Sequence, residues 1–153
     1  MSFHGDSAKD EKEIRDLLDH WSTAVSHENI EEVIAAHDRQ VLTFPMPEPM
    51  QLKGIDDYRE SWKAYFSWFE NKQVFGLSEL TVTAGSDVAF ATALVHCVGI
   101  TYHNRDEELS MRLTVGLRKR DDLWRIVHVH LSRPFSRQPI GLQPESLAGA
   151  HQR

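Results

Sequence analysis

Nine histidines occur in a chain of 153 residues, and three of their settings could carry chemistry. His96 stands mid-run among Phe90, Leu94 and Val98. Imidazole titrates near neutrality, so modest burial or a nearby carboxylate would make it a general acid or base. The plainer reading is a hydrogen-bonded histidine of the core or of an interface. His37-Asp38 follows a short helical pattern. A carboxylate there, such as Asp38, could abstract a proton beside a carbonyl if an apolar setting raised its pKa; at a solvated helix end it would not. His128-x-His130 puts two imidazoles on one face of a strand. Zinc would need a third ligand, and the expected cross-strand neighbours are Arg112 and Thr114, so a cation would sit beside the metal. No metal is expected. Cys97 lies in an apolar strand without an activating neighbour, and no nucleophile elbow, P-loop or dinucleotide fingerprint occurs. No cofactor is expected.

The elements that must position these groups follow from periodicity. Asp10 with Glu13 reads as a capping box, and Ile14, Leu17, Leu18, Trp21 and Val25 then fall at helical spacing. Residues 1–9 are expected to be a flexible N-terminus. Asn29 with Glu32 repeats the capping signal before a short second helix. Val41–Met46 reads as a strand with Leu42, Phe44 and Met46 on one face. Pro45, Pro47 and Pro49 end it, since proline cannot donate to a sheet ladder, and leave a stiff loop suited to the rim of a cavity. A third helix after Gly54 carries Ile55, Tyr58, Trp62, Tyr65, Phe66 and Phe69 on one face. Two β-rich runs follow, Gln73–Thr83 and Val88–Tyr102; the second alternates bulky Phe90, Leu94, His96 and Val98 with small Ala89, Ala91, Ala93 and Cys97. Residues 136–153 have weak periodicity and are read as a tail.

Glu108–Phe135 reads as a β-hairpin turning at Asp121-Asp122. A three-residue loop at Arg120-Asp121-Asp122 sets Leu117 against Arg125, Val115 against Val127, Leu113 against Val129 and Met111 against Leu131. A two-residue loop would set Val115 against His128 and Leu113 against His130, mixing apolar and polar faces. The first register is expected for that reason. It puts Trp124, Ile126, His128, His130 and Arg112 together on the second face, too aromatic for a solvated surface. Burial of that face by a second copy of the chain, through Arg112, Trp124, His128 and His130, is expected.

Composition bounds the rest. One domain fits the length, and 41% hydrophobic residues suffice for a core. A net charge of −6 disfavours nucleic-acid binding. No apolar run is long enough for a membrane span, and the N-terminus lacks a signal-peptide core, so a cytoplasmic location is the default. One cysteine excludes an intrachain disulfide.

The segment R-D-x-x-W-R-I-V-H-x-H-x-S, residues 120–132, resembles the last strand pair of SnoaL-like domains in the NTF2-like, ketosteroid-isomerase-like superfamily. It is also similar to the association domain of calcium/calmodulin-dependent kinase. The element order agrees: helix, short helix, strand, helix, then four strands. The resemblance covers roughly residues 10–134 and implies an α+β, NTF2-like (cystatin-like) cone for residues 10–135, with a curved, mostly antiparallel sheet around three helices. It also implies a cavity, for which Trp21, Phe44, Met46, Tyr58, Trp62, Phe66 and Phe90 are the apolar candidates. Matched to the kinase domain, pocket positions fall on Tyr58, His96, Val115 and Leu131; the cations that suit a carboxylate ligand are missing, so a more apolar or aromatic ligand is implied. No acidic residue falls on the apolar face of the last three strands, which argues against the simplest ketosteroid-isomerase chemistry. The expectation is a small-molecule-binding domain and, within that class, a cofactor-independent isomerase, cyclase or lyase, with His96 transferring a proton, Tyr58 or Trp62 orienting the substrate and Asp38 as a second catalytic candidate. The alternative is a non-catalytic dimerisation or ligand-sensing module.

Overall fold

A computed structural model describes residues 3–70, 73–100 and 106–135. The elements are α1 (Phe3–Ser26), α2 (Ile30–Ala35), β1 (His37–Phe44), β2 (Leu52–Lys53), α3 (Ile55–Phe66), β3 (Val74–Ala84), β4 (Val88–Ile100), β5 (Asp106–Arg120) and β6 (Leu123–Ser132). One six-stranded sheet runs in the order β2-β1-β6-β5-β4-β3. Only the β1–β6 pair is parallel; the other neighbours are antiparallel. Helices and sheet share one core, centred on Trp21, Tyr58, Trp62, Val95, Leu113 and Val115.

Local chemistry explains most boundaries. Asn29 caps α2 by accepting from the Glu32 backbone N–H at 3.3 Å. Gly54 enters α3 at φ +94°, a conformation that disfavours other residues. The first helix departs from expectation. It begins at Phe3 rather than near Asp10, so most of the stretch expected to be flexible is helical. Asp10 does not cap it. Its buried carboxylate instead accepts from Trp124 Nε1 at 3.0 Å and pairs with Lys119 Nζ at 2.9 Å.

The hairpin register is also corrected. Asp121 and Asp122 both have positive φ, 53° and 61°, the signature of a two-residue type I′ turn. Arg120 pairs with Leu123 and Leu117 with Ile126. Beyond that point Gly116 pairs with His128, so Val127 is an extra residue. This bulge removes the mixing of faces that disfavours the short loop in an unbulged hairpin: it shifts the parity of β6 by one residue midway. Trp124 and Ile126 therefore face the core before the bulge, and Val129 faces it after. Trp124 does not belong to the outer face with His128 and His130. As an inter-chain contact it is excluded, because α1 of its own chain covers it.

The face of β4 is inverted relative to expectation. Ala89, Ala91, Ala93, Val95 and Cys97 are buried, whereas Phe90, Leu94, His96 and Val98 point outward. Packing decides this. An interior already holding Trp21, Tyr58, Trp62 and Phe75 has room only for small side chains on β4 at native density.

Candidate functional site

Three elements bring four ring systems together beneath the sheet. α1 supplies Trp21, on the same face as Ile14, Leu18 and Val25. α3 supplies Tyr58 and Trp62, four residues apart and so one above the other on one helix face. β1 supplies His37, its first residue, in phase with buried Val41 and Thr43. The His37 and Tyr58 ring centroids lie 4.4 Å apart. Trp21 stands edge-on to His37 at 6.2 Å and to Trp62 at 6.1 Å. Tyr58 and Trp62 are 6.1 Å apart, and Phe75 of β3 closes the cluster against both tryptophans at 5.4 and 5.7 Å.

The polar atoms of this cluster are unusual. Trp21 Nε1, His37 Nδ1 and Nε2, Tyr58 Oη and Trp62 Nε1 are all buried, and none closes a hydrogen bond of good geometry. Thr43 Oγ1, on the same side of β1 as His37, shares that condition. Native interiors satisfy nearly all such groups. Burial holds the His37 pKa down to about 3; the nearby carbonyls of Val33 and Ile34 only partly offset it. Burial likewise raises the Tyr58 phenol far above its ordinary value, although the indole groups of Trp62 and Trp21 favour its anion. Both side chains are thus neutral at pH 7. The cluster offers two indole donors, one phenol and one neutral imidazole, and no formal charge. It suits an uncharged ligand bearing an acceptor oxygen.

Of the expected pocket residues, Trp21, Tyr58 and Trp62 converge here. Phe66 lies beside Trp62 at 5.9 Å, and Val115 and Leu131 are on the core-facing side of β5 and β6. The others do not join them. His96 is on the outer face of β4, its side chain 49% exposed, and Phe90 shares that face. Phe44 turns outward against His128 and His130 at 4.7 and 5.3 Å. Met46 is exposed in the loop after β1. Asp38 alternates away from His37 on β1 and accepts from Arg120 and from the Gln40 backbone N–H, both at 2.9 Å. Those bonds commit both of its oxygens and hold it off the interior, so it cannot be a base there.

His37, Thr43 and Asp10 are buried, which the sequence-based expectations do not include. The signal for the first two was available: His37, Val41 and Thr43 share one parity on β1, and that parity, rather than Leu42 and Phe44, faces inward. A separate surface cavity of about 260 Å³ lies between α1 and the β5–β6 turn, lined by Glu13, Leu17, Asp122, Leu123 and Trp124, and does not touch the ring cluster. Among the described residues, no group of three or more His, Cys, Asp or Glu is placed to hold a metal. No described helix is long and apolar enough to cross a membrane.

A profile of the SnoaL-like domain family matches residues 14–136. This chain belongs to the SnoaL-like domain family. A solved NTF2-like protein of unknown function from Pseudomonas putida KT2440 is 33% identical to this SnoaL-like domain, covering 85% of it and 90% of that chain, with a TM-score of 0.77. Two more distant structures share the NTF2-like, cystatin-like fold. An NTF2-like superfamily protein from Salmonella enterica serovar Typhimurium is 15% identical over 88% of this chain and 96% of that one, TM-score 0.75. A candidate scytalone dehydratase from Novosphingobium aromaticivorans is 17% identical over 88% and 95%, TM-score 0.73. No curated protein gave a significant sequence match.

Proposed function

We propose that this SnoaL-like domain binds a small, uncharged, largely apolar or aromatic molecule against Trp21, His37, Tyr58 and Trp62, and acts on it as a cofactor-independent isomerase, cyclase or lyase. The observation that carries the reading is the set of five unpartnered polar atoms in one aromatic cluster. Each such buried atom costs on the order of 1–3 kcal/mol when unsatisfied, which a ligand oxygen accepting from these donors would recover. The proton-transfer role expected of His96 passes to the interior. Tyr58, neutral and buried, is the group suited to donate to a substrate oxygen. The Trp21 and Trp62 indole N–H groups are preorganised to stabilise negative charge developing on that oxygen in a dry setting. His37 stays unprotonated at neutral pH and serves as an acceptor beside Tyr58. The dehydratase-like relative belongs to the same broad reaction class.

Titration of intrinsic tryptophan fluorescence with simple phenols and aromatic ketones tests this. A binder should quench the interior tryptophans, and Tyr58→Phe should weaken it about tenfold, the loss of one hydrogen bond. If no member of such a panel binds, or Tyr58→Phe binds as tightly as the parent, the reading fails.

The mutual edge-to-face packing of Trp21, Trp62 and Phe75 favours a second reading. A filled interior suits a non-catalytic association or ligand-sensing module, with a homodimer as the functional unit. In that reading a second copy covers the outer face around Phe44, Arg112, His128 and His130, where three rings already pack together. His130→Glu places a like charge opposite itself across a twofold contact. It should halve the mass measured by light scattering; a parent protein that is already a monomer would rule the module out.

A further inference from the structure

On the outer face of the sheet, far from the ring cluster, three side chains stand in a row. His96 on β4 lies directly across from Ser110 on β5. Ser110 Oγ is 3.2 Å from His96 Nδ1, and Glu108 Oε1 is 3.0 Å from His96 Nε2. Glu108 and Ser110 are two residues apart on one strand, so both project to the same side. An ionised carboxylate only accepts, so in the neutral ring Nε2 carries the proton toward Glu108. Nδ1 is then left as an acceptor and receives the Ser110 hydroxyl proton. A hydroxyl within hydrogen-bond reach of a base, itself oriented by a third group, is the arrangement that activates a nucleophile. The roles depend on geometry and not on chain order.

The surroundings supply two further requirements. Arg112 is the next outward residue after Ser110 on β5, about 7 Å along the strand, with Nε donating to Ser132 Oγ at 3.2 Å, so it supplies a positive charge on the β6 side of Ser110. Leu94 and Val98, on either side of His96 along β4, are 43% and 40% exposed. They pair across with Arg112 and Glu108 and form an apolar shelf. The trio is set apart from the Phe44–His128–His130 rings: Ser110 lies four residues before Thr114, the partner of His130, on β5, or about 14 Å by strand rise.

We propose that Ser110, His96 and Glu108 form an acyl-accepting site for esters of short apolar acids, separate from the interior site. Ser110 Oγ bonds to the ester carbonyl carbon as its proton passes to His96 Nδ1. The bond from that carbon to the alcohol oxygen then breaks, and the alcohol leaves with the proton from His96. Water, deprotonated by the same nitrogen, later attacks the acyl-serine, and the carboxylic acid is released with Ser110 restored.

The test treats the full chain with p-nitrophenyl acetate and p-nitrophenyl butyrate, follows nitrophenol release, and maps the acylated residue by peptide mass spectrometry. Expected are one acyl group on Ser110, none there in Ser110→Ala, acylation on the order of a hundredfold slower in His96→Gln, and roughly tenfold slower in Glu108→Gln. All three side chains are solvent-facing, so the variants should keep the parent circular dichroism spectrum. Acylation confined to lysines, a release rate unchanged in Ser110→Ala, or no acylation at all would overturn the proposal.

Discussion

Lowering the pH from 7 to 3 should remove roughly 4 kcal/mol of folding stability through His37 alone. Unfolded, this imidazole takes up a proton near its ordinary pKa of 6.5; folded, burial holds it neutral down to about 3. Between those values the unfolded chain binds more protons, so stability is complete above pH 6.5 and drains away as pH falls toward 3. About 2 kcal/mol should already be gone at pH 5, a large share of the total stability of a domain this size. Urea unfolding at pH 7 and pH 5 measures the slope. His37→Gln and His37→Phe should flatten it, whatever either substitution does to absolute stability at pH 7. If both variants retain the parent slope between pH 7 and 5, His37 is not held neutral in the core. The same neutrality bears on function: binding at the ring cluster should not vary with pH across the range in which the protein stays folded.

Asp10→Ala should destabilise the fold by about 2–4 kcal/mol. The carboxylate joins the first half of α1 to the β5–β6 hairpin, accepting from the Trp124 indole at 3.0 Å and pairing with Lys119 at 2.9 Å. Its removal strands the Trp124 N–H, which is buried, and leaves Lys119 over the indole ring at 5.5 Å without its counter-charge. Asp10→Asn, which keeps an acceptor for Trp124, should cost about half as much. Burial by itself would raise the Asp10 pKa, but the hydrogen bonds from Lys119 and Trp124 outweigh it and hold the carboxyl below its usual value of 3.8. Its stabilisation is therefore present above that pH and is lost as pH falls through the lower folded value. The two acid effects fall in different windows, His37 from 6.5 downward and Asp10 only below 3.8. A thermal-melt series on Asp10→Ala should keep the upper slope and lose the lower one. Equal melting temperatures for Asp10→Ala and parent at pH 7 would show that the contact contributes nothing.

Much of the architecture was legible in residue types and spacing. The apolar stripe of α1, the Asn29 cap, the aromatic face of α3, the buried alternation of Met111, Leu113, Val115 and Leu117, and the turn at Asp121-Asp122 all follow from local periodicity and turn chemistry. So do Trp21, Tyr58 and Trp62 as interior groups, because helical spacing leaves a bulky apolar face only one place to go. The family resemblance of residues 120–132 was legible too, and it is upheld by the profile match over residues 14–136.

What depended on the tertiary structure was which side of each strand faces in. Period-2 alternation names two faces but does not order them when both carry apolar residues, as on β1 and β4. Volume settled β4: the helices fill the interior with tryptophan and tyrosine, so the alanines turn inward and His96, Phe90 and Leu94 are left outside. A single bulge at Val127 settled β6, moving Trp124 and Ile126 to the core while His128 and His130 stayed out. The same choices assembled the two side-chain clusters. His37 reaches Tyr58 only because β1 presents that parity to α3, and His96 meets Ser110 and Glu108 only across the β4–β5 ladder. His96 and Ser110, 14 residues apart in the chain, and Trp21 and Trp62, 41 apart, come within bonding or stacking distance through long-range packing, which local sequence pattern does not encode.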